Sequence, residues 1–116
     1  SQEKYLLVTG IANEKPLLQF LNYNTINYHH LCFQDHYNFQ QKDISKIIQL
    51  KHSMNLSNNL LLTEKDYYRL SLNHKKRLEL EFNLICIQIE IDFIGVDKSN
   101  FNNQLITFEK SKQISQ

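Results

Sequence analysis

The stretch Tyr5-Leu6-Leu7-Val8-Thr9-Gly10-Ile11-Ala12-Asn13 opens with a short apolar run and ends in a polar turn. The apolar run is continuous rather than alternating, which is typical of a strand buried on both faces of a parallel sheet. Gly10 then indicates a sharp turn or a close approach of another chain segment. Pro16 fits the first turn of a following helix, because its missing N–H costs nothing there. The stretch therefore predicts the first strand-to-helix unit of an α/β fold.

The same arrangement recurs twice further along the chain. A second strand is predicted over residues 27–33, and the next helix begins near Asp43. A third, very short strand over residues 59–62 leads into Thr63, which can cap the following helix. Alternation of this kind indicates a mainly parallel sheet covered by helices. We therefore predict an α/β fold, a single three-layer Rossmann-like domain with about four or more strands and helices on both faces.

The last part of the chain carries two further patterns. Over residues 84–93, isoleucines alternate with more polar side chains, which predicts a strand near a sheet edge with one buried and one wetter face. Phe101, Leu105 and Phe108 recur at helical spacing and predict a final helix. The polar tail that follows is expected to fray.

Composition fits one globular domain over residues 1–116. Of the 116 residues, 41% are apolar and 22% are charged, so disorder is not expected. The formal net charge is +1, which gives no general electrostatic case for a nucleic acid partner. Cys32 and Cys86 lie in apolar runs rather than in C-x-x-C pairs, which predicts buried, reduced thiols and argues against a zinc site.

Polar side chains follow each of the first three predicted strands. Loops after successive parallel strands leave the sheet at the same edge, so these side chains are expected to converge there. The expected set is Asn13, Asp35, His36, Thr63, Glu64, Lys65 and Asp66.

Each part of this set has a functional and a structural interpretation. A His such as His36 can donate to a phosphate or stack on a base, and Asp35 can orient it; the same pair also fits a loop-capping Asp beside an exposed His. The segment 63–66 can hold an anion at a helix start or can be a plain helix cap. The adjacent His29 and His30 point to opposite faces of a strand, so together they cannot chelate one metal.

The sequence has no phosphate-binding loop. Gly10 and Gly95 are its two glycines, so neither G-x-x-x-x-G-K-[ST] nor G-x-G-x-x-G is present. This chain cannot by itself cradle a triphosphate in either of these ways, and we assign no catalytic residue or metal ligand in it.

Four pieces of the sequence, taken in order, resemble those of a known family. They are Gly10-Ile11-Ala12-Asn13, Phe33-x-Asp35-His36-x-x-Phe39, Asp43-Ile44 and Leu62-Thr63-Glu64-Lys65-Asp66. Over roughly residues 5–93 the chain resembles the C-terminal lobe of the tetraacyldisaccharide 4'-kinases, the lipid A 4'-kinases. Two positions depart from the family's usual pattern: Glu14 stands where a Pro is common, and Tyr37 stands where a second His is common.

The resemblance implies a lipid kinase that uses ATP and Mg²⁺ to phosphorylate the 4'-hydroxyl of tetraacyldisaccharide 1-phosphate. It implies peripheral association with the cytoplasmic face of the bacterial inner membrane. The partner would be an N-terminal P-loop lobe, absent from this chain, which supplies the phosphate loop, so the fragment alone is expected to be inactive and to bind neither ATP nor Mg²⁺.

By the same resemblance, His36 would contact the nucleotide and Asp35 would position it. The other five residues of the expected set would lie on the nucleotide side or between the lobes. Two rival interpretations stay open: a non-catalytic Rossmann-like regulatory module that binds an anion or nucleotide at the same edge, and a purely structural partner domain.

Overall fold

A computed structural model of the protein describes residues 3–90 and 105–108. The elements in chain order are β1 (Tyr5–Thr9), α1 (Lys15–Tyr23), β2 (Tyr28–Cys32), α2 (Gln41–Ser53), β3 (Asn59–Thr63), α3 (Glu64–Arg69), α4 (Leu72–Glu81), β4 (Asn83–Glu90) and β5 (Leu105–Phe108). In the described ranges, none of the helices combines the length and the apolar character needed to cross a bilayer.

The strands form one sheet in the order β2-β1-β3-β4-β5. The first four are parallel, and β5 pairs with β4 in the antiparallel direction. In this register Thr9 of β1 lies beside Cys32 of β2, and Val8 lies beside Leu62 of β3. The prediction of a mainly parallel sheet is confirmed.

Helices cover both faces of the sheet. On one face, α1 packs Leu17 and Leu21 against Leu7, Leu61 and Ile87. On the other face, α2 and α4 pack against the alternate residues of the same strands; that core includes Leu6, Val8, Ile44, Ile47, Leu60, Leu62, Leu78 and Leu84. Because β1 and β3 are covered on both sides, their apolar runs are continuous rather than alternating. The predicted three-layer arrangement is confirmed.

The connections diverge at the carboxyl ends of β1 and β3. The chain leaves β1 toward α1 on one face, whereas it leaves β3 toward α3 and α4 on the other. In open α/β sheets, the crevice at such a divergence is the usual place for a ligand. The loops after these two strands are therefore the first place to look for a site.

Strand β4 differs from its prediction in one respect. It lies next to the edge strand, as expected, but Leu84 and Cys86 are as buried as Ile87 on the opposite face. The expected wetter face is wrong for these residues, because helices pack on both sides of the sheet. Residues 91–93 of the predicted strand lie outside the described residues.

The predicted final helix is wrong where the structure describes it. Residues 105–108 form β5, in which Phe108 pairs with Ile87 of β4. A short apolar run fits either a helix or a strand, and here the unpaired edge of β4 decides the outcome by offering backbone hydrogen bonds. Phe101 and the polar tail lie outside the described residues.

Candidate functional site

Gly10, at the carboxyl end of β1, joins the loops that follow β1, β2 and β3. Its N–H donates to Asp66 Oδ2 at 3.0 Å. Its carbonyl accepts the backbone N–H of His36 at 3.0 Å and Nη1 of Arg69 at 2.8 Å. The segments that sequence reasoning expected to converge thus meet at one residue.

Neighbouring segments of the chain approach Gly10 so closely that a side chain would not fit there easily. A Cβ added there would lie 3.1 Å from the Gln34 carbonyl oxygen and 3.2 Å from Asp66 Oδ1. Its backbone does not have positive φ. Of the two reasons offered for this glycine, the close approach is therefore the relevant one.

Asp66 is a buried acid whose hydrogen bonds hold this junction together. Its carboxylate accepts from the Thr63 hydroxyl at 2.9 Å and from Arg69 Nη1 at 3.1 Å, in addition to Gly10. Burial raises the pKa of Asp66, and the hydrogen bonds from Gly10 and Thr63 and the charge of Arg69 oppose that rise. Arg69 also belongs to this network, although it was not in the set that was expected to converge.

Thr63 serves as the cap of α3. Its hydroxyl oxygen accepts the backbone N–H of Asp66 at 3.1 Å, and both side chains are buried. This is the plain-cap interpretation of the segment 63–66, on a helix of six residues. Thr63 and Asp66 therefore act beneath the surface, where they fix the loops above them.

Asp35 and His36 lie at the exposed surface of the same junction. His36 Nδ1 is 3.0 Å from Asp35 Oδ2, and the imidazole is 80% exposed. The backbone of His36 has φ of 62°, a conformation that costs a non-glycine residue free energy. The bond to the Gly10 carbonyl holds it there, so the ring is presented to solvent from a fixed backbone.

Aromatic packing anchors the loop that carries this pair. The Tyr37 ring lies 4.7 Å from Phe33 and 5.3 Å from Phe39, centroid to centroid. The Tyr37 hydroxyl donates to Asp43 Oδ2 at 2.8 Å, and that hydrogen bond raises the pKa of Tyr37. Asp43 also accepts the N–H of Gln40 at the start of α2. Tyr37, at the position where the family often has a second His, thus ties the loop to a helix.

The remaining residues of the expected set lie in the loop after β1 and at the start of α3. Asn13 is exposed, and its Oδ1 accepts the N–H of Lys15 at 3.3 Å. Lys65 is exposed, whereas Glu64 is half-buried. Their assignment to a nucleotide-side or interlobe surface stays a prediction.

A second polar cluster, which sequence reasoning missed, lies between the end of β2 and the start of α1. Glu14 Oε2 accepts from the Thr9 hydroxyl at 2.5 Å and from the Cys32 thiol at 2.9 Å, and lies 3.6 Å from His30 Nε2. His30 Nε2 is 2.7 Å from Thr9 Oγ1. Four polar side chains thus converge beside α1.

The charges in this cluster influence one another. Burial alone would raise the pKa of Glu14, but hydrogen bonds from Cys32 and Thr9, together with His30, lower it overall. Burial lowers the pKa of His30, against the effect of Glu14. The hydrogen bond to Glu14 raises the pKa of the Cys32 thiol.

The sequence contained one signal for this cluster. His30 and Cys32 are two apart in a strand, so they share a face; the neighbouring position, His29, falls on the other face, as predicted. Cys32 was expected to be buried, but it is exposed, because β2 is an edge strand and Cys32 is its last residue. Cys86 is buried, as expected.

Comparison with known proteins now places the chain in a family. The family model described as tetraacyldisaccharide-1-P 4'-kinase matches residues 1–109. The chain belongs to this family. Among its curated relatives, the tetraacyldisaccharide 4'-kinase of Bacteroides fragilis is 30% identical over 109 residues, which is 93% of this chain and 29% of the relative.

Two other relatives carry the same name. The protein of Bacteroides thetaiotaomicron is 33% identical over 104 residues, covering 89% of this chain and 27% of the relative. That of Cytophaga hutchinsonii is 38% identical over 91 residues, covering 77% and 26% respectively. The chain therefore spans less than a third of the length of these relatives. No solved structure gives a significant match.

Proposed function

We propose that this chain is the C-terminal domain of a tetraacyldisaccharide 4'-kinase, which transfers the γ-phosphate of ATP to the 4'-hydroxyl of tetraacyldisaccharide 1-phosphate in lipid A biosynthesis. The observation that carries the proposal is the family match over residues 1–109. The names of the relatives supply the acceptor and the phosphorylated position.

In this proposal the work is divided between two lobes. The two glycines of the sequence cannot form a phosphate-binding loop, so an N-terminal P-loop lobe of the same enzyme supplies it. ATP and Mg²⁺ bind in the complete enzyme, and the 116-residue chain alone is inactive. Phosphoryl transfer depends mostly on positioning and charge stabilisation, so a second lobe can affect the rate without supplying the base.

His36 is the proposed nucleotide contact of this domain. Its Nδ1 faces Asp35, which directs Nε2 away from that carboxylate and toward solvent. A protonated ring would donate from Nε2 to a phosphate oxygen, and a neutral ring can stack on the base. Asp35 is the positioning residue, while Thr63 and Asp66 fix the loops; Asn13, Glu64 and Lys65 are proposed to lie toward the other lobe.

The membrane location follows from the proposed substrate. A disaccharide with four acyl chains resides in a bilayer, so its kinase must work at a membrane surface. We propose that the complete enzyme is a peripheral protein on the cytoplasmic face of the bacterial inner membrane, as the family resemblance implies.

The proposal is tested in the complete kinase with the single change His36→Ala. Loss of one hydrogen bond to a charged group corresponds to a decrease in kcat/KM for ATP of about tenfold to a hundredfold. The matched control is His52→Ala, because His52 is also exposed but lies in the last turn of α2, at the opposite edge of the sheet. This control should leave kcat/KM unchanged.

Two outcomes would contradict different parts of the proposal. If His36→Ala matched wild type, the nucleotide role of His36 would be wrong while the kinase assignment stood. If the complete protein failed to phosphorylate tetraacyldisaccharide 1-phosphate, and the 116-residue chain bound ATP by itself, a non-catalytic nucleotide-binding module would replace the kinase.

A further inference from the structure

The cluster of Glu14, His30 and Cys32 has the composition of a transition-metal site. One oxygen, one nitrogen and one sulfur donor lie within 4.8 Å of one another. A thiolate and an imidazole favour Zn²⁺ over Mg²⁺ or Ca²⁺, which take oxygen ligands. We propose that these three side chains bind one Zn²⁺ ion, with a fourth position open to solvent. This inference stands independently of the proposed kinase function.

The distances between the donors are close to those that the ion requires. Around a tetrahedral Zn²⁺, bonds of about 2.0–2.3 Å place neighbouring ligand atoms about 3.3–3.8 Å apart. Glu14 Oε2 and His30 Nε2 are 3.6 Å apart. Glu14 Oε2 and Cys32 Sγ are 2.9 Å apart. Every pair of donor atoms lies within 4.8 Å, so Cys32 Sγ has to move away from Glu14 Oε2 to the spacing that the ion requires.

The three ligands are held by ordered backbone. His30 and Cys32 project from the same face of β2, and Glu14 is the N-cap residue that directly precedes α1. The fully buried Thr9 donates to the Glu14 carboxylate at 2.5 Å. A hydrogen bond of this kind orients a metal-binding carboxylate and would remain when the ion is bound.

The charges of the three ligands and their exposure to solvent also agree with a bound Zn²⁺ ion. One carboxylate, one thiolate and one neutral imidazole balance the two positive charges of the ion, so the half-buried site would carry no net charge. On binding, the ion forms bonds to Glu14 Oε2, His30 Nε2 and Cys32 Sγ, and the thiol proton passes to solvent. The neutral imidazole changes tautomer, so that its hydrogen moves from Nε2, which faces Thr9, to Nδ1 and leaves Nε2 free to bind the ion. The side chains of His30 and Glu14 are 19% and 20% exposed, and Cys32 is exposed, so the ion can enter from the surface.

The test is titration of the metal-free 116-residue chain with Zn²⁺ by calorimetry, and with Co²⁺ by absorption spectroscopy. We expect one ion per chain and a near-ultraviolet charge-transfer band from thiolate to Co²⁺. Cys32→Ser should abolish the band, and both Cys32→Ser and His30→Gln should weaken Zn²⁺ binding by more than about 100-fold, since even residues that only support a ligand contribute 10- to 100-fold.

Two matched variants distinguish this site from other histidines and thiols. His29→Gln changes the neighbouring histidine on the opposite face of β2, and Cys86→Ala changes the buried cysteine. Both should bind Zn²⁺ like wild type, provided that circular dichroism shows a folded chain. As a second measurement, Zn²⁺ should protect Cys32 from alkylation in the wild-type protein, which does not depend on any variant.

Three results would overturn the proposal. One is the absence of stoichiometric Zn²⁺ binding to the wild-type chain. Another is binding that survives both Cys32→Ser and His30→Gln. The third is binding that is lost in His36→Ala but kept in those two variants, since this would assign the ion to the Asp35–His36 loop.

Discussion

The parallel strands of the sheet end at one edge, the carboxyl edge, and begin at the other, the amino edge. These two edges carry different kinds of side chain. At the carboxyl edge, the buried Asp66 and the partly buried Arg69 bind both backbone groups of Gly10. At the amino edge, the chain leaves an open depression of about 540 Å³, and half of the residues that line it are asparagines, namely Asn55, Asn58, Asn59 and Asn83. Where charges meet near that edge, as between Lys51 and Glu81, they join the ends of helices rather than strands.

The difference shows where this fold fixes its loops. A buried carboxylate is costly unless all its hydrogen bonds are made, and Asp66 accepts them from Gly10, Thr63 and Arg69. Exposed amides at the other edge are solvated, so each contributes little to the folded state. We therefore expect substitutions at the carboxyl edge to cost more stability than matched substitutions at the amino edge.

The largest contrast should come from Asp66→Ala. The change removes the partner of Arg69 and leaves the Gly10 N–H and the Thr63 hydroxyl without an acceptor, so the free energy of unfolding should fall by about 3–5 kcal/mol. The control is Asn83→Ala, which removes an exposed amide that donates to Asn59 Oδ1 at 3.4 Å and should cost less than about 0.5 kcal/mol. Urea denaturation measures both, and equal losses would show that the two edges do not differ.

A smaller effect is expected from Gly10→Ala. The new Cβ would meet two fixed oxygen atoms at 3.1 and 3.2 Å, so the loops must shift and the free energy of unfolding should fall by about 1–3 kcal/mol. Asn58→Ala, at an exposed amino-edge position, should stay within about 0.5 kcal/mol of wild type. A neutral Gly10→Ala in the same denaturation assay would mean that the junction is not tightly packed.

The smallest contrast compares two tyrosine hydroxyls. Tyr37→Phe keeps the aromatic packing but removes the hydrogen bond to Asp43, so the midpoint of thermal unfolding should fall by less than in Gly10→Ala. Tyr28→Phe, at the amino edge, removes an exposed bond of 3.2 Å to Asn22 and should leave the midpoint unchanged. Calorimetry of the two variants measures both midpoints. A larger decrease in the midpoint for Tyr28→Phe than for Tyr37→Phe would contradict the expected difference between the two edges.

The local sequence was sufficient to predict a strand that is buried on both sides of the sheet, and to predict a helix cap. The apolar run before Gly10 predicts β1 with its observed bounds, and the residue type and position of Thr63 predict the helix cap that it forms. It was insufficient for the run at 105–108, where a helix was predicted and β5 is observed. A run of four residues is too short to show whether its period is that of a helix or of a strand, so its pairing with β4 determines the structure.

The sequence likewise predicted one part of the candidate site and not another. That the loops after β1, β2 and β3 meet at one edge followed from the alternation of strands and helices. Which side chains face inward did not follow, because Asp66 and Lys65 stand next to each other in sequence yet one is fully buried and the other exposed.

The sequence by itself determined the α/β class, the family resemblance and the residues that stand at the strand ends. Only the tertiary structure decided that Asp66 binds Gly10, 56 residues away, and that Glu14 meets Cys32, 18 residues away. The physical reason is that such contacts depend on which strand lies beside which. The order β2-β1-β3-β4 is set by the packing of whole helices on the sheet, and no local pattern of residues encodes it.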